Sequence, residues 1–279
     1  MNMRMNMRIA IIAVAAFAAL ASFADFTPPE GDFDVLIYTR WKYVHDWKTG
    51  KVVPKGAYHH HSTEAGAVEI DRYFKSKGYR TFVTDDPKVF DLPAFARCKC
   101  TVFQCTNHEQ FETEAQRKAF YAWAKAGGGT LAIHSASANE RGRKEWLEFL
   151  GGAFRFHYPK HLPVSFKGAD RSHPAIACLP ADYVWAGDEI YVHTMTAEAK
   201  PLLKFFSALV PEKDRQWACQ KFKLDAIDPE HVLEWTKDYG KGRVFYTALG
   251  HNPKDFKKTE WLEHLLRAAE WTMKKGETK

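Results

Sequence analysis

Short, continuously apolar runs alternate with amphipathic segments of helix length along the first half of this chain, and that alternation leaves few folds open. FDVLIYTR (33–40), YRTFVT (79–84), CTVFQC (100–105) and TLAI (130–133) each have the length of one strand. Strands that are apolar throughout are buried on both faces, as in a parallel sheet whose crossover helices cover both sides. Between the first two runs, Ser62 offers a cap to a helix reaching Lys77, with Ala67, Ile70, Tyr73 and Phe74 as its apolar stripe and Gly78 as its stop. Asp85-Asp86-Pro87 marks a turn. Thr113 with Gln116 is a capping box for a helix ending at Ala126. Further on, HVLEWTKDYGKGRVFYTAL (231–249) reads as two strands joined at Tyr239-Gly240-Lys241-Gly242. A closing helix over 259–274 buries Leu262, Leu266, Ala269 and Met273. The expectation is one α/β domain with a mainly parallel sheet and helices on both faces.

Residues 1–24 stand apart from that domain. Arg4 and Arg8 precede an apolar stretch from Ile9 to Leu20, and Ser22-Phe23-Ala24 is a small-x-small cleavage site. This is the pattern of a secretory signal peptide, and it is shorter than a membrane span needs. The expectation is therefore an exported protein, periplasmic or extracellular, with a single domain over 25–279 and no stable membrane insertion once the leader is gone. The chain carries a formal charge of +6, and removing a leader with two arginines and no acid leaves +4. Without a Lys/Arg cluster, so mild a charge excludes nucleic acid as the expected partner. A homo-oligomer is left open. The five cysteines are an odd number for an exported chain. Cys98, Cys100 and Cys105 match no zinc-module spacing and read as core residues. No disulfide pairing follows from their positions.

The stretch GGGTLAIHSAS (127–137) carries the first chemical signal. Its strand ends on His134 among small residues, which let the backbone turn tightly and hold one side chain at the tip. In open α/β sheets the ligand crevice lies at the carboxyl ends of the strands. His251, in VFYTALGHNP, occupies a second such end, and the loop after the first strand leads to His61 in YHHHS (58–62). Successive side chains diverge, so only one of those three histidines can face the crevice, and His61 is the expected one. Asp188-Glu189, in AGDEIYVH, offers carboxylates of which only one can enter if the segment is extended. His157 and His161, in FHYPKH, can border the same pocket, and His173, Tyr191 and Arg243 are further substrate-binding candidates. Imidazole can transfer a proton near neutral pH or, when neutral, bind a divalent metal, for which His134, His251 and Asp188 are the candidate ligands. The aromatic-rich stretch from Trp41 to Tyr58, with Tyr43 and Trp47, is either packed on the core or a face for sugar rings.

AKAGGGTLAIHSAS, GGAFRFHYPKH, HPAI, DEIY and KGRVFYTALGHN occur here in an order that resembles the ThuA (trehalose utilisation) family. That family is similar to class I glutamine amidotransferases, which implies a flavodoxin-like sheet. Amidotransferases carry a cysteine at the elbow occupied here by His134, and a late histidine, matched by His251, followed by Pro-Glu rather than Asn252-Pro253. Without an elbow thiol, acyl-enzyme chemistry cannot run, and amidotransferase activity is excluded. The resemblance implies a part in disaccharide or keto-sugar utilisation. Two classes follow from it: a carbohydrate-active hydrolase, lyase or isomerase using His134, His251 and Asp188 or Glu189, or a non-catalytic sugar-binding accessory protein on the same fold.

Overall fold

The computed structural model describes residues 26–41, 43–46, 51–54 and 58–276; the proposed leader and Trp47 lie outside them. The chain begins with β1 (Val35–Tyr38), a β2–β3 hairpin (Tyr43–Asp46, Lys51–Pro54), α1 (Ser62–Ser76), β4 (Thr81–Thr84), α2 (Pro93–Arg97) and β5 (Cys100–Gln104). It continues through α3 (Glu114–Ala126), β6 (Gly129–Ile133), α4 (Lys144–Leu150) and the long strand β7 (Gly152–Ser165). Then come α5 (Pro174–Ala177), β8 (Val184–Met195), β9 (Lys200–Phe206), α6 (Glu212–Phe222), β10 (Glu230–Tyr239), β11 (Gly242–Thr247) and α7 (Thr259–Thr272).

Seven strands form one sheet in the order β4-β1-β5-β6-β11-β10-β9. From β4 to β11 all neighbours are parallel, while β10 and β9 add antiparallel strands at one edge. Numbered among themselves, the parallel strands follow the flavodoxin-like order 2-1-3-4-5. The apolar runs at β1, β5 and β6 are buried at every position, as their composition requires. Right-handed crossovers that run in opposite directions along a sheet put their helices on opposite faces. The connection from β1 to β4 and that from β5 to β6 run in opposite directions, so α1 and α3 cover different sides. α7 joins α1. On the α3 side Phe120 packs on Phe103 and Phe149 with ring centroids 5.4 and 5.2 Å apart. Burying each such ring contributes about 1.5–3 kcal/mol.

Local signals explain the boundaries. The Thr113 hydroxyl accepts from Gln116 N at 3.1 Å, while Gln116 Oε1 accepts from Thr113 N at 3.2 Å, closing the expected capping box. In the β10–β11 turn Gly240 has φ +62, and a Cβ there would stand 2.7 Å from Lys125 O. Ser62 departs from its expected role. The α1 cap is His61, which makes no side-chain cap bond, and Ser62 is the first helical residue, its hydroxyl donating to Cys105 Sγ at 3.4 Å. All five thiols are free, and burial pushes Cys100 and Cys105 up to about 12. No helix among the described residues is long and apolar enough to cross a membrane.

Among the elements that the sequence patterns did not announce is a two-stranded antiparallel ribbon, β7–β8. Its register pairs His157 with Tyr191 and His161 with Glu189, so four steps along β7 face two along β8. That irregularity bends the ribbon. Contacts to β10, to α6 and to the turn after β6 hold it to the sheet.

Candidate active site

β6 ends where its neighbours end, and the chain leaves it through a single 3-10 turn over His134–Ala138. His134 has φ +53, a left-handed conformation that costs a non-glycine residue about 1–2 kcal/mol. Tyr246 offsets part of that cost by donating its hydroxyl to His134 O at 2.7 Å. The ring is fixed as well. Its Nδ1 lies 2.6 Å from Ala248 O, and since a carbonyl only accepts, Nδ1 carries a proton and Nε2 points into the crevice. There it meets the Tyr191 hydroxyl at 3.1 Å and Glu189 Oε2 at 3.4 Å. The side chain is fully buried, so the elbow histidine belongs to the core as well as to the crevice.

Of the adjacent carboxylates, Glu189 enters the cluster and Asp188 turns away, as alternation along β8 demands. Glu189 Oε2 also stands 3.3 Å from His251 Nδ1 and 4.0 Å from His60 Nε2, and its Oε1 is 3.8 Å from His157 Nδ1. Burial pushes the Glu189 carboxyl up, but the facing His134 and His251 rings outweigh it and hold it well below the usual range. Asp188, fully buried, accepts from Gly250 N at 2.8 Å, His251 N at 3.3 Å, Trp185 Nε1 at 3.0 Å and Glu189 N at 2.8 Å. It therefore latches the ribbon to the loop that carries His251. Burial pushes its carboxyl up despite these donors.

The histidine supplied by the YHHHS run is His60, one residue before the expected His61. Starting α1 at Ser62 with His61 as its cap turns His60 inward, while His61 is exposed and His59 pairs with Glu64 at 2.7 Å. The His60 ring lies 4.6 Å from that of His134 and 5.3 Å from that of His251. Both of its nitrogens, and His251 Nδ1, are buried without a hydrogen-bond partner. Burial, with His134 beside it, pushes His60 down to about 2 and keeps it a neutral imidazole.

Ligand atoms of His60, His134, His251 and Glu189 all lie within 4.8 Å of one another. Donors of a tetrahedral cation, with bonds of ~2.1 Å, stand roughly 3.4 Å apart. The cluster needs only a small contraction to hold one. Imidazoles, in their neutral form, plus one carboxylate suit a divalent transition metal.

Two cavities open on the cluster and share Tyr58 and His60. One, of about 240 Å³, is lined by Asn107, Ser135, Arg141, Phe154, His157, Glu189 and Tyr191 among others; the second, of about 400 Å³, by His61, His161 and His251. Trp41, from the aromatic-rich stretch, stacks on His59 with ring centroids 4.1 Å apart. The remaining two candidates lie elsewhere. His173 caps α5 by accepting from Ala175 N at 3.2 Å and packs on Phe245 and Trp271. Arg243 is the second residue of β11, near that strand's amino end, and stacks on Trp271 with its guanidinium 4.8 Å from the ring centre. A parallel strand presents opposite ends to opposite sides, which separates Arg243 from the crevice.

Comparison with known proteins agrees with this architecture. The family described as ThuA, trehalose utilisation, matches residues 51–272. No curated protein matches the chain. Among solved structures, a ThuA-like protein from Bacteroides uniformis is similar over 89% of this chain and 95% of its own, at TM-score 0.64 and 20% identity. A ThuA-like protein from Parabacteroides merdae is similar over 89% of this chain and 92% of its own, at TM-score 0.62 and 17% identity. At these identities the likeness speaks for the fold.

Proposed function

The chain belongs to the ThuA, trehalose utilisation, family, and from that premise we propose that it is a metal-dependent enzyme acting on a saccharide or a keto form of one. His60, His134, His251 and Glu189 would hold the cation. One observation carries this reading: buried imidazole nitrogens without partners converge with a carboxylate inside 4.8 Å. Buried polar atoms without partners are costly, and a site that keeps several of them facing one point is built for something that arrives there. A bound divalent cation supplies Lewis acidity, polarising a carbonyl or acidifying a hydroxyl.

The chain's own residues define the rest of the chemistry. His134 is held in one tautomer by Ala248 and in one orientation by its elbow. His157 donates Nδ1–H to Tyr158 O at 2.9 Å, which leaves the Nε2 lone pair as a proton acceptor at the cavity wall. It is the residue placed to take a proton from a sugar hydroxyl. Tyr191 supplies a hydroxyl beside His134, and Phe154 an apolar face for a ring. With four protein donors, an open position for substrate calls for a cation that accepts five or six ligands.

Elemental analysis of the purified protein, with a turnover screen on keto-disaccharides before and after chelation, tests the reading. About one divalent transition-metal ion per chain is expected, with turnover lost on chelation and restored by that ion. Turnover that survives complete removal of metal overturns it. The reading extends to export through residues 1–24, supported by their charge and apolar pattern. Protein recovered outside the cytoplasm should begin near Asp25 by N-terminal sequencing; an intact Met1 there contradicts this.

A further inference from the structure

The smaller of the two cavities beside the cluster holds a positive charge that nothing else in the site uses. Arg141 lines it at the mouth, with its guanidinium carbon 5.5 Å from the centre of the Phe154 ring. The neighbouring Arg117 and Arg143 are both committed to Glu140, at 2.8 and 3.2 Å, whereas Arg141 has no acidic partner among the described residues.

Arg141 is exposed, but the turn that carries it is fixed. Glu140, immediately before it, is buried with φ +49. Glu140 N donates to His108 O at 2.8 Å and its Oε1 accepts from Gln110 N at 2.8 Å. The turn is therefore pinned from both backbone and side chain, and the arginine after it leaves in a set direction. A guanidinium stacked on an aromatic ring keeps its fork of N–H donors free for a planar or tetrahedral group of oxygens.

A second, independent feature faces the same space. Ser135 lines this cavity, is 1% exposed, and its Oγ has no hydrogen-bond partner. A buried hydroxyl without a partner is an unmet hydrogen bond, which a ligand oxygen can complete. Asn107 lies on the same wall with both ends of its amide engaged, Nδ2 donating to Tyr58 O at 3.4 Å and Oδ1 accepting from His108 N at 2.9 Å. Glu189, also on the wall, has its charge already faced by His134 and His251.

A larger cavity of about 470 Å³ beside α6 offers no comparable feature, since its Arg215 is already paired with Glu212.

We propose that Arg141 and Ser135 form an anion-recognising subsite, so that the saccharide taken here carries a carboxylate or phosphate beside its ring. This deepens the reading of the pocket as a saccharide site and rests on it. The cavity, below the roughly 300–1,000 Å³ usual for drug-sized ligands, suits one sugar ring with one such substituent. Arg141 recognises the substituent, and Phe154 meets the ring.

Calorimetric titration tests the subsite with D-glucuronate, glucose 6-phosphate and D-glucose as probes. Each is titrated into metal-free and metal-loaded protein. One of the two anionic sugars should bind ten- to a hundredfold more tightly than glucose, on the order expected for hydrogen bonds to a charged group. Whichever anion binds tighter identifies the substituent. Arg141→Gln should abolish the preference while leaving metal content unchanged. Arg141→Lys, which keeps the charge without the fork, should retain an intermediate preference. Glucose binding as tightly as both anions, an unchanged preference in Arg141→Gln, or no anion binding at millimolar concentration overturns the subsite. An anion preference in a protein that never takes up metal leaves the subsite standing and removes the metal reading alone.

Discussion

Replacing Glu189 by glutamine should abolish metal uptake at the proposed cation site. The substitution keeps the shape of the side chain and removes the only carboxylate among the described residues that faces His60, His134 and His251. Loss of groups that merely orient metal ligands weakens binding by about 10–100-fold, so loss of an anionic ligand should weaken it by about 100-fold or more. Turnover should fall to background. Added metal should raise the melting temperature of the unaltered protein, by mass action on the folded state, and leave that of Glu189→Gln unmoved. Retained metal and retained turnover in the variant would remove Glu189 from the site. His134→Ala is a weaker test, because that ring is wholly buried and its loss damages packing along with chemistry.

The second large effect lies away from the crevice. His264 of α7 and Glu234 of β10 are both fully buried, and His264 Nε2 donates to Glu234 Oε1 at 3.0 Å. Its Nδ1 lies 2.8 Å from Ala175 O, another atom that only accepts. Both ring nitrogens therefore carry protons, and the imidazole is a cation stacked on Trp261 with ring centroids 4.8 Å apart. Burial opposes that charge, but Glu234 and the other hydrogen bonds outweigh it and push His264 up to about 10. Since the folded value lies above the unfolded value of about 6.5, the stabilisation is complete below pH ~6.5 and declines as pH rises toward 10. The decline should approach ~1.4 kcal/mol per pH unit in that window. His264→Gln leaves Glu234 as a buried carboxylate without its cation and should cost about 3–5 kcal/mol. Urea denaturation between pH 6 and 10 checks both statements. An unaltered protein whose stability is flat across that range shows that His264 is neutral.

The legible parts of this chain were those governed by local physics. β1, β5 and β6 are mainly apolar because they are covered on both sides, and the Thr113 box needs only four residues to declare itself. His134 and His251 were readable because the ends of parallel strands share one side of a sheet. The ribbon was not, since β7 contains Pro159 and Pro163 and alternates irregularly between buried and exposed positions. His60 and His61 differ by a single residue in where a helix begins, a boundary that local patterns fix poorly. Arg141 owes its setting to Glu140, whose partners Gln110 and Arg117 lie more than twenty residues away. His173 and Arg243 show the converse. Each sits in a motif of the resemblance, yet one caps a helix and the other lies near the amino end of a strand, on the far side.

The latch formed by Asp188 has a consequence for how reactions diversify on this scaffold. The sheet contributes imidazoles from β6 and β11, but the carboxylate that organises them arrives on β8, an arm joined to the sheet's rim by Asp188 and the amides of Gly250 and His251. Electrostatic character and architecture are thus inherited through separate segments. An arm with a different residue at position 189 could dock through the same latch and leave the strand order untouched. A change of chemistry on this scaffold therefore needs a new residue at position 189 of β8 and the retention of Asp188 beside it.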